Sequence, residues 1–375
     1  MTASVDLLSA LCRRGAPALV AAGAALLAAG AQAQAPADWR RDAVPFYDTT
    51  HALQGLYTHW GQPRATEFAQ AAGALPPALR ALCAAAPDGS SAALAGARQA
   101  WQRAMLAWEG LSAVAIGPVV SRRAQRQIDF MPTRPQLIER AIQAQPQGAT
   151  AFERVGTPAR GLPALEWLLW TRPAQPASPA CSYAVEVALD VEREAVAQQA
   201  AFREAAQTDW GAEDQQERSA QAMGEFINQW VGGIERLRWA HMEKPLRAAQ
   251  GTRAPDYPRA ASGQAGAAWK AEWAALRALT VQADGTPPVQ PGQGVVPLET
   301  YLRGRGLNPL ADRLREAALR IDAAMAAAAG PDAAAADGPR VLQAAKELSA
   351  LKRLAEAEVA PALQVSIGFS DADGD

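Results

Sequence analysis

The spacing of its large apolar residues constrains this chain more than any other feature. Trp101, Met105, Trp108, Leu111 and Ala115 recur at helical intervals until Gly117-Pro118 interrupts them, and Met223, Ile227, Trp230, Ile234, Leu237 and His241 do the same up to Pro245. A third stripe runs through Leu310, Leu314, Ala317, Ile321 and Met325. Residues three and four apart share a helix face, so each stripe needs a partner surface that buries it. Period-two runs rich in β-branched residues are nearly absent. The pattern predicts an all-α protein.

Pro, Gly and small polar residues break the helical pattern at 87–91, 171–179, 251–266 and 285–294. The break at 251–266 is the best candidate boundary, dividing an N-terminal bundle, 34–250, from a C-terminal bundle, 251–375. The segment opening at Trp101 can be laid over the one opening at Trp269, with Met105 over Trp273, Trp108 over Leu276 and Leu111 over Leu279. That overlay is compatible with internal duplication and with two related helical bundles packed around a shared cleft. The Ala-rich run 323–336, interrupted by Gly330-Pro331, reads as a helix end and loop.

Residues 1–33 have the pattern of a secretory signal: Arg13-Arg14, an apolar run from Ala16 to Ala29, and the small-x-small sequence Ala31-Gln32-Ala33. The run is shorter than the about 20 residues a membrane span needs, and no later segment is apolar enough to span, so the mature chain is expected to start near Gln34 in the periplasm. The formal net charge of -2 and the lack of a long basic run argue against a nucleic-acid partner. After cleavage two cysteines remain, Cys83 and Cys181. In an oxidising compartment they are expected either to form one disulfide or to stay as two buried thiols. The chain has only 3 histidines, too few for a histidine-rich metalloenzyme.

Within Gly161-Leu-Pro-Ala-Leu-Glu-Trp-Leu-Leu-Trp170 a single carboxylate, Glu166, is surrounded by apolar neighbours. Pro163 suits a first helical turn, where its missing N–H costs nothing. A carboxylate in such surroundings requires a cation, hydrogen-bond donors or its own proton. Glu166 is thus either neutralised by an arginine or a helix N-terminus, or part of a ligand or metal site in the bundle core. His241 continues an apolar stripe and reads first as a core histidine bonded to a neighbour, second as a ligand. His51 and His59 lie two turns apart, too far to chelate together. Arg98 and Arg126 are solvated charges, or ion partners of Glu166 or of an anionic ligand. Ser262 reads as a loop or cap residue, and Asp371, Asp373 and Asp375 as a solvated or docked tail rather than a calcium loop.

These segments, taken in order, resemble the imelysin family. Its Gly-x-His-x-x-Glu motif is matched at Gly161 and Glu166, with Pro163 in the histidine position. Arg98-Gln-Ala-Trp101, Gly117-Pro118, Arg126-Gln-Ile-Asp-Phe-Met-Pro132 and the C-terminal Val365-Ser-Ile-Gly-Phe-Ser-Asp-Ala-Asp-Gly-Asp375 also resemble the family's segments. The resemblance implies two helical bundles, an envelope location and a cleft near the motif, with Gly161, Pro163, Gly117 and Pro118 as its structural residues. Glu166, Arg98, Trp101, Arg126 and His241 become candidates for binding a small ligand or a metal, either iron or another divalent ion. The expected function is a periplasmic binding protein of iron acquisition, whose partners are envelope iron-uptake proteins. A metal-dependent peptidase is the second reading, weakened by Pro163 and by the absence of a His-Glu-x-x-His helix. An envelope scaffold binding a peptide or polysaccharide is the third.

Overall fold

Ser90–Ser112 forms the central helix of the computed structural model, with Ala97, Ala100, Trp101, Ala104, Met105, Trp108 and Leu111 all buried along it. The structure describes residues 44–249, 254–329 and 338–368, so the signal sequence and the acidic C-terminal tail expected above lie outside the described residues. The helices that frame the core and carry the motif include α1 (Gln62–Gly73), α2 (Leu75–Cys83), α3 (Ser90–Ser112), α4 (Gly161–Glu166), α5 (Pro179–Ala205), α6 (Gln216–Glu235), α7 (Ala265–Thr280), α8 (Leu298–Gly304), α9 (Asn308–Ala328) and α10 (Gly338–Leu354). No strand occurs among the described residues. None of their helices is long and apolar enough to cross a membrane.

Each predicted stripe is a buried helix face. On one side α1, α2, α3 and α5 pack together, and Cys83 at the end of α2 is disulfide-bonded to Cys181 in the first turn of α5. On the other side α9 packs on α10, and α7 packs on α9. The segments whose apolar patterns overlay, α3 and α7, lie directly against each other. By their contacts the described residues belong to one compact unit.

Two helix ends differ from the sequence expectation. The Trp101 stripe does not continue as helix to Gly117: α3 stops at Ser112, and residues 113–116 turn inward but remain buried. The carbonyls of Ser112 and Ala113 accept hydrogen bonds from the Arg236 guanidinium at 2.6 and 3.1 Å, which satisfies acceptors a helix end leaves open. Gly233 makes this approach possible, since a Cβ there would lie 2.0 Å from the Ala113 carbonyl oxygen. The helix carrying His241 does not stop at Pro245. It widens into a π-turn over Arg236–Glu243 and resumes at Lys244–Ala248, where proline occupies the first turn and needs no N–H partner. A second π-turn, Trp167–Thr171, directly follows α4.

Candidate functional site

The backbone around Gly161 positions Glu166. Gly161 adopts φ +79°, and a Cβ on it would lie 2.3 Å from the carbonyl oxygen of Ile128, so only glycine lets α4 start this close to the Ala124–Ile128 helix. Pro163 sits in the first turn, and every residue from Gly161 to Glu166 is buried. Glu166 Oε1 accepts the backbone N–H of Ser262 at 2.9 Å and its hydroxyl at 2.6 Å. Ser262 is therefore more than a loop residue: two donors on it compensate the buried carboxylate.

Three residues before Ser262, Arg259 enters the core with 1% of its surface exposed. Its Nε and Nη2 donate to Glu109 Oε1 at 3.1 and 3.0 Å, and Nη2 also donates to Asp129 Oδ2 at 2.6 Å. Trp108 Nε1 reaches the same Asp129 oxygen at 3.2 Å. The guanidinium carbon lies 5.8 Å from the centre of the Trp101 ring, whose indole N–H is fixed on the Leu162 carbonyl at 2.9 Å. A fourth carboxylate, Glu272 on α7, holds His241 Nδ1 at 2.7 Å. The resulting centre runs from Glu166 and Ser262 through Arg259, Glu109 and Asp129 to Glu272 and His241. It joins α3, α4, α7, the π-turn after α6, and the segment 254–264.

The electrostatics follow from burial and mutual contact. Burial raises the Glu109 carboxyl to about 7 against the pull of Arg259, and Glu272 and Asp129 add to the rise. Burial works against a charge on His241, but Glu272 and then Glu109 outweigh it and raise its pKa. Burial likewise opposes the Arg259 charge, and Asp129, Glu109 and Glu166 overcome it. Arg259 Nη1, Asp129 Oδ1, Glu272 Oε2, Trp269 Nε1 and Tyr257 Oη are buried without a hydrogen-bond partner among the described residues. Unmet donors and acceptors of this kind call for bound water or a ligand.

Sequence reasoning found Glu166, Trp101 and His241 and missed Glu109, Asp129, Arg259 and Glu272. Glu166, Trp101 and His241 all belong to the centre. Arg98 and Arg126, read as solvated charges or as ion partners of Glu166 or of an anionic ligand, lie outside it. Arg98 donates to the Leu169 carbonyl at 2.9 Å and covers the Trp170 ring, while Arg126 is exposed. The missed residues carried a partial signal. Glu109 and Glu272 are single acids on otherwise apolar helix faces, and Asp129 stands inside the segment running from Arg126 to Pro132. Nothing local marks Arg259. Gly117 and Pro118 line a different feature, a cavity of about 480 Å³ walled also by Tyr57, Trp210, Arg218 and Glu225.

A metal ion fits this centre poorly. Glu166 is engaged by Ser262, His241 by Glu272, and Glu109 with Asp129 by Arg259. Among the described residues no group of three or more His, Cys, Asp or Glu is arranged to hold a metal. His51 pairs with Asp48 at 2.9 Å and does not join His59.

The family model described as Imelysin matches residues 61–358. An imelysin-like protein from Psychrobacter arcticum superposes with a TM-score of 0.69 at 20% identity, over 86% of this chain and 97% of that one. An iron-regulated protein A precursor from Parabacteroides distasonis gives 0.65 at 15% identity, over 82% and 93% respectively. At these identities the likeness establishes the fold alone. No curated protein matches.

Proposed function

The chain belongs to the imelysin family, and on that premise we propose that it is an exported, periplasmic binding protein without catalytic activity that serves iron acquisition. Its recognition core is the buried centre around Arg259. One observation carries this reading: each carboxylate of the centre is already engaged by a donor of the protein itself. A metallopeptidase would need several protein ligands around an open metal position, and among the described residues no group of three or more His, Cys, Asp or Glu is arranged to hold a metal. Recognition of a chelated iron species or of an envelope uptake partner needs no such position. The name of the Parabacteroides relative, an iron-regulated precursor, supports both the link to iron and export.

The reading is tested in the source organism by deleting the gene and complementing it with wild type or Arg259→Met under iron limitation, with cell fractionation of both proteins. Slow growth of the deletion strain, restored only by wild type and with both proteins in the periplasm, is the expected result. Growth indifferent to deletion, or chelator-sensitive peptide cleavage by the purified chain that Glu166→Gln abolishes, would sink it.

A further inference from the structure

Arg259 is built into the centre by several independent contacts. Its backbone has φ +67°, a left-handed conformation that disfavours side chains larger than glycine. Its carbonyl accepts the Gln264 N–H at 2.9 Å, which fixes the turn, and the indole of Trp101 faces its guanidinium. An arginine held in strained backbone and almost wholly buried needs a compensating reason. The carboxylates supply it: Nη2 stands 2.6 Å from Asp129 Oδ2 and 3.0 Å from Glu109 Oε1, the place where two oxygens from distant segments converge.

We propose that Arg259 is the resident cation of this centre and the residue that sets its specificity, closing Glu109 and Asp129 to bare metal ions. The inference rests on the centre being the recognition core. A divalent ion needs oxygens at about 2.0–2.6 Å, so it would have to take the position of Nη2. The displaced guanidinium would then lie beside it, a second positive charge in a region where Glu109 keeps 4% and Asp129 15% of its side chain exposed. Of the neighbouring acids, Glu166 is held at Oε1 by Ser262 and Glu272 at Oε1 by His241. The ligand recognised here is accordingly one that presents hydrogen-bonding groups to the centre rather than a naked ion.

The left-handed backbone makes Arg259→Gly the informative variant, since glycine accepts this φ and removes the cation together with its stem, opening room at the two carboxylates. Mn(II) and Zn(II) are titrated calorimetrically into the full chain as wild type, Arg259→Gly, Arg259→Gly/Glu109→Gln and Arg259→Lys, with thermal unfolding in parallel. Wild type and Arg259→Lys should bind no stoichiometric metal and show no metal-dependent Tm. Arg259→Gly should bind at least about tenfold more tightly than wild type and gain Tm with metal. The added Glu109→Gln should abolish that gain. Stoichiometric uptake by wild type that Glu109→Gln removes would overturn the inference. So would uptake by Arg259→Lys, or an Arg259→Gly chain that is indifferent to metal or unfolded with and without it. Metal uptake by wild type leaves the growth experiment intact as a test of the binding role, whereas growth indifferent to deletion leaves these titrations unchanged.

Discussion

Glu166 and Glu109 are both carboxylates buried on apolar helix faces, yet the fold compensates them differently. Glu166 receives a backbone N–H and a hydroxyl from one residue, Ser262, and its compensation involves no full opposing charge in direct contact. Glu109 shares one guanidinium with Asp129, and burial still raises its carboxyl to about 7. A carboxylate held by neutral donors tolerates conservative change, because an amide oxygen can accept the same bonds. A carboxylate held by a shared cation ties three segments together, so removing the cation leaves two buried charges unmet.

The contrast predicts a ranked set of outcomes. Arg259→Met should lower unfolding free energy by about 3–5 kcal/mol in urea titrations, the range for breaking a buried pair. Loss of less than that would mean that water reaches the acids. Replacing both Cys83 and Cys181 with alanine should cost about 2–4 kcal/mol, since the bond closes a loop with a sequence separation of 98. That loss should leave the pH profile of stability unchanged, because the disulfide contacts none of the titrating groups. Ser262→Ala removes one of two donors to Glu166 and should cost about 1.5–3 kcal/mol, with Glu166→Gln costing less. If Glu166→Gln proves as damaging as Arg259→Met, the distinction between the two carboxylates fails.

The smallest effect is a slope. Glu109 and His241 both have folded pKa values raised above their unfolded ones, so the folded state holds more protons than the unfolded state. The stability this adds is fully present at low pH. The Glu109 part declines as pH rises from the ordinary carboxylate range through about 7, and the His241 part only as pH rises above the ordinary imidazole range, each by at most about 1.4 kcal/mol per pH unit. Thermal unfolding between acid and neutral pH should show Tm falling through this window, and Glu109→Gln should flatten the Glu109 part. A Tm that rises with pH there, with no change on Glu109→Gln, contradicts the assignment.

The same pair of regions shows what the sequence discloses. The all-α class was legible because period is a local property, and the stripes at Trp101, Met223 and Leu310 each became a buried face. Glu166 stood out because its own neighbours are apolar. Ser262 was visible only as a loop or cap residue, because its partner lies 96 residues away. Arg259 was invisible for a stronger reason: it sits in a Pro- and Gly-rich break that reads as surface loop, and its acids are 150 and 130 residues away. A charge in a loop is normally solvated, and only the tertiary fold reveals that this loop turns inward. Pro245 misled for the opposite reason, because the preceding π-turn removes the clash that makes proline a helix stop.

The most direct test of a shared cation at the centre compares urea unfolding of Arg259→Met with that of Arg259→Met/Glu109→Gln/Asp129→Asn. If the guanidinium is there to compensate two buried carboxylates, neutralising them should return most of the about 3–5 kcal/mol lost by the single change. A triple variant no more stable than Arg259→Met would show that Arg259 is held for its shape and packing, and the account of the centre would fall.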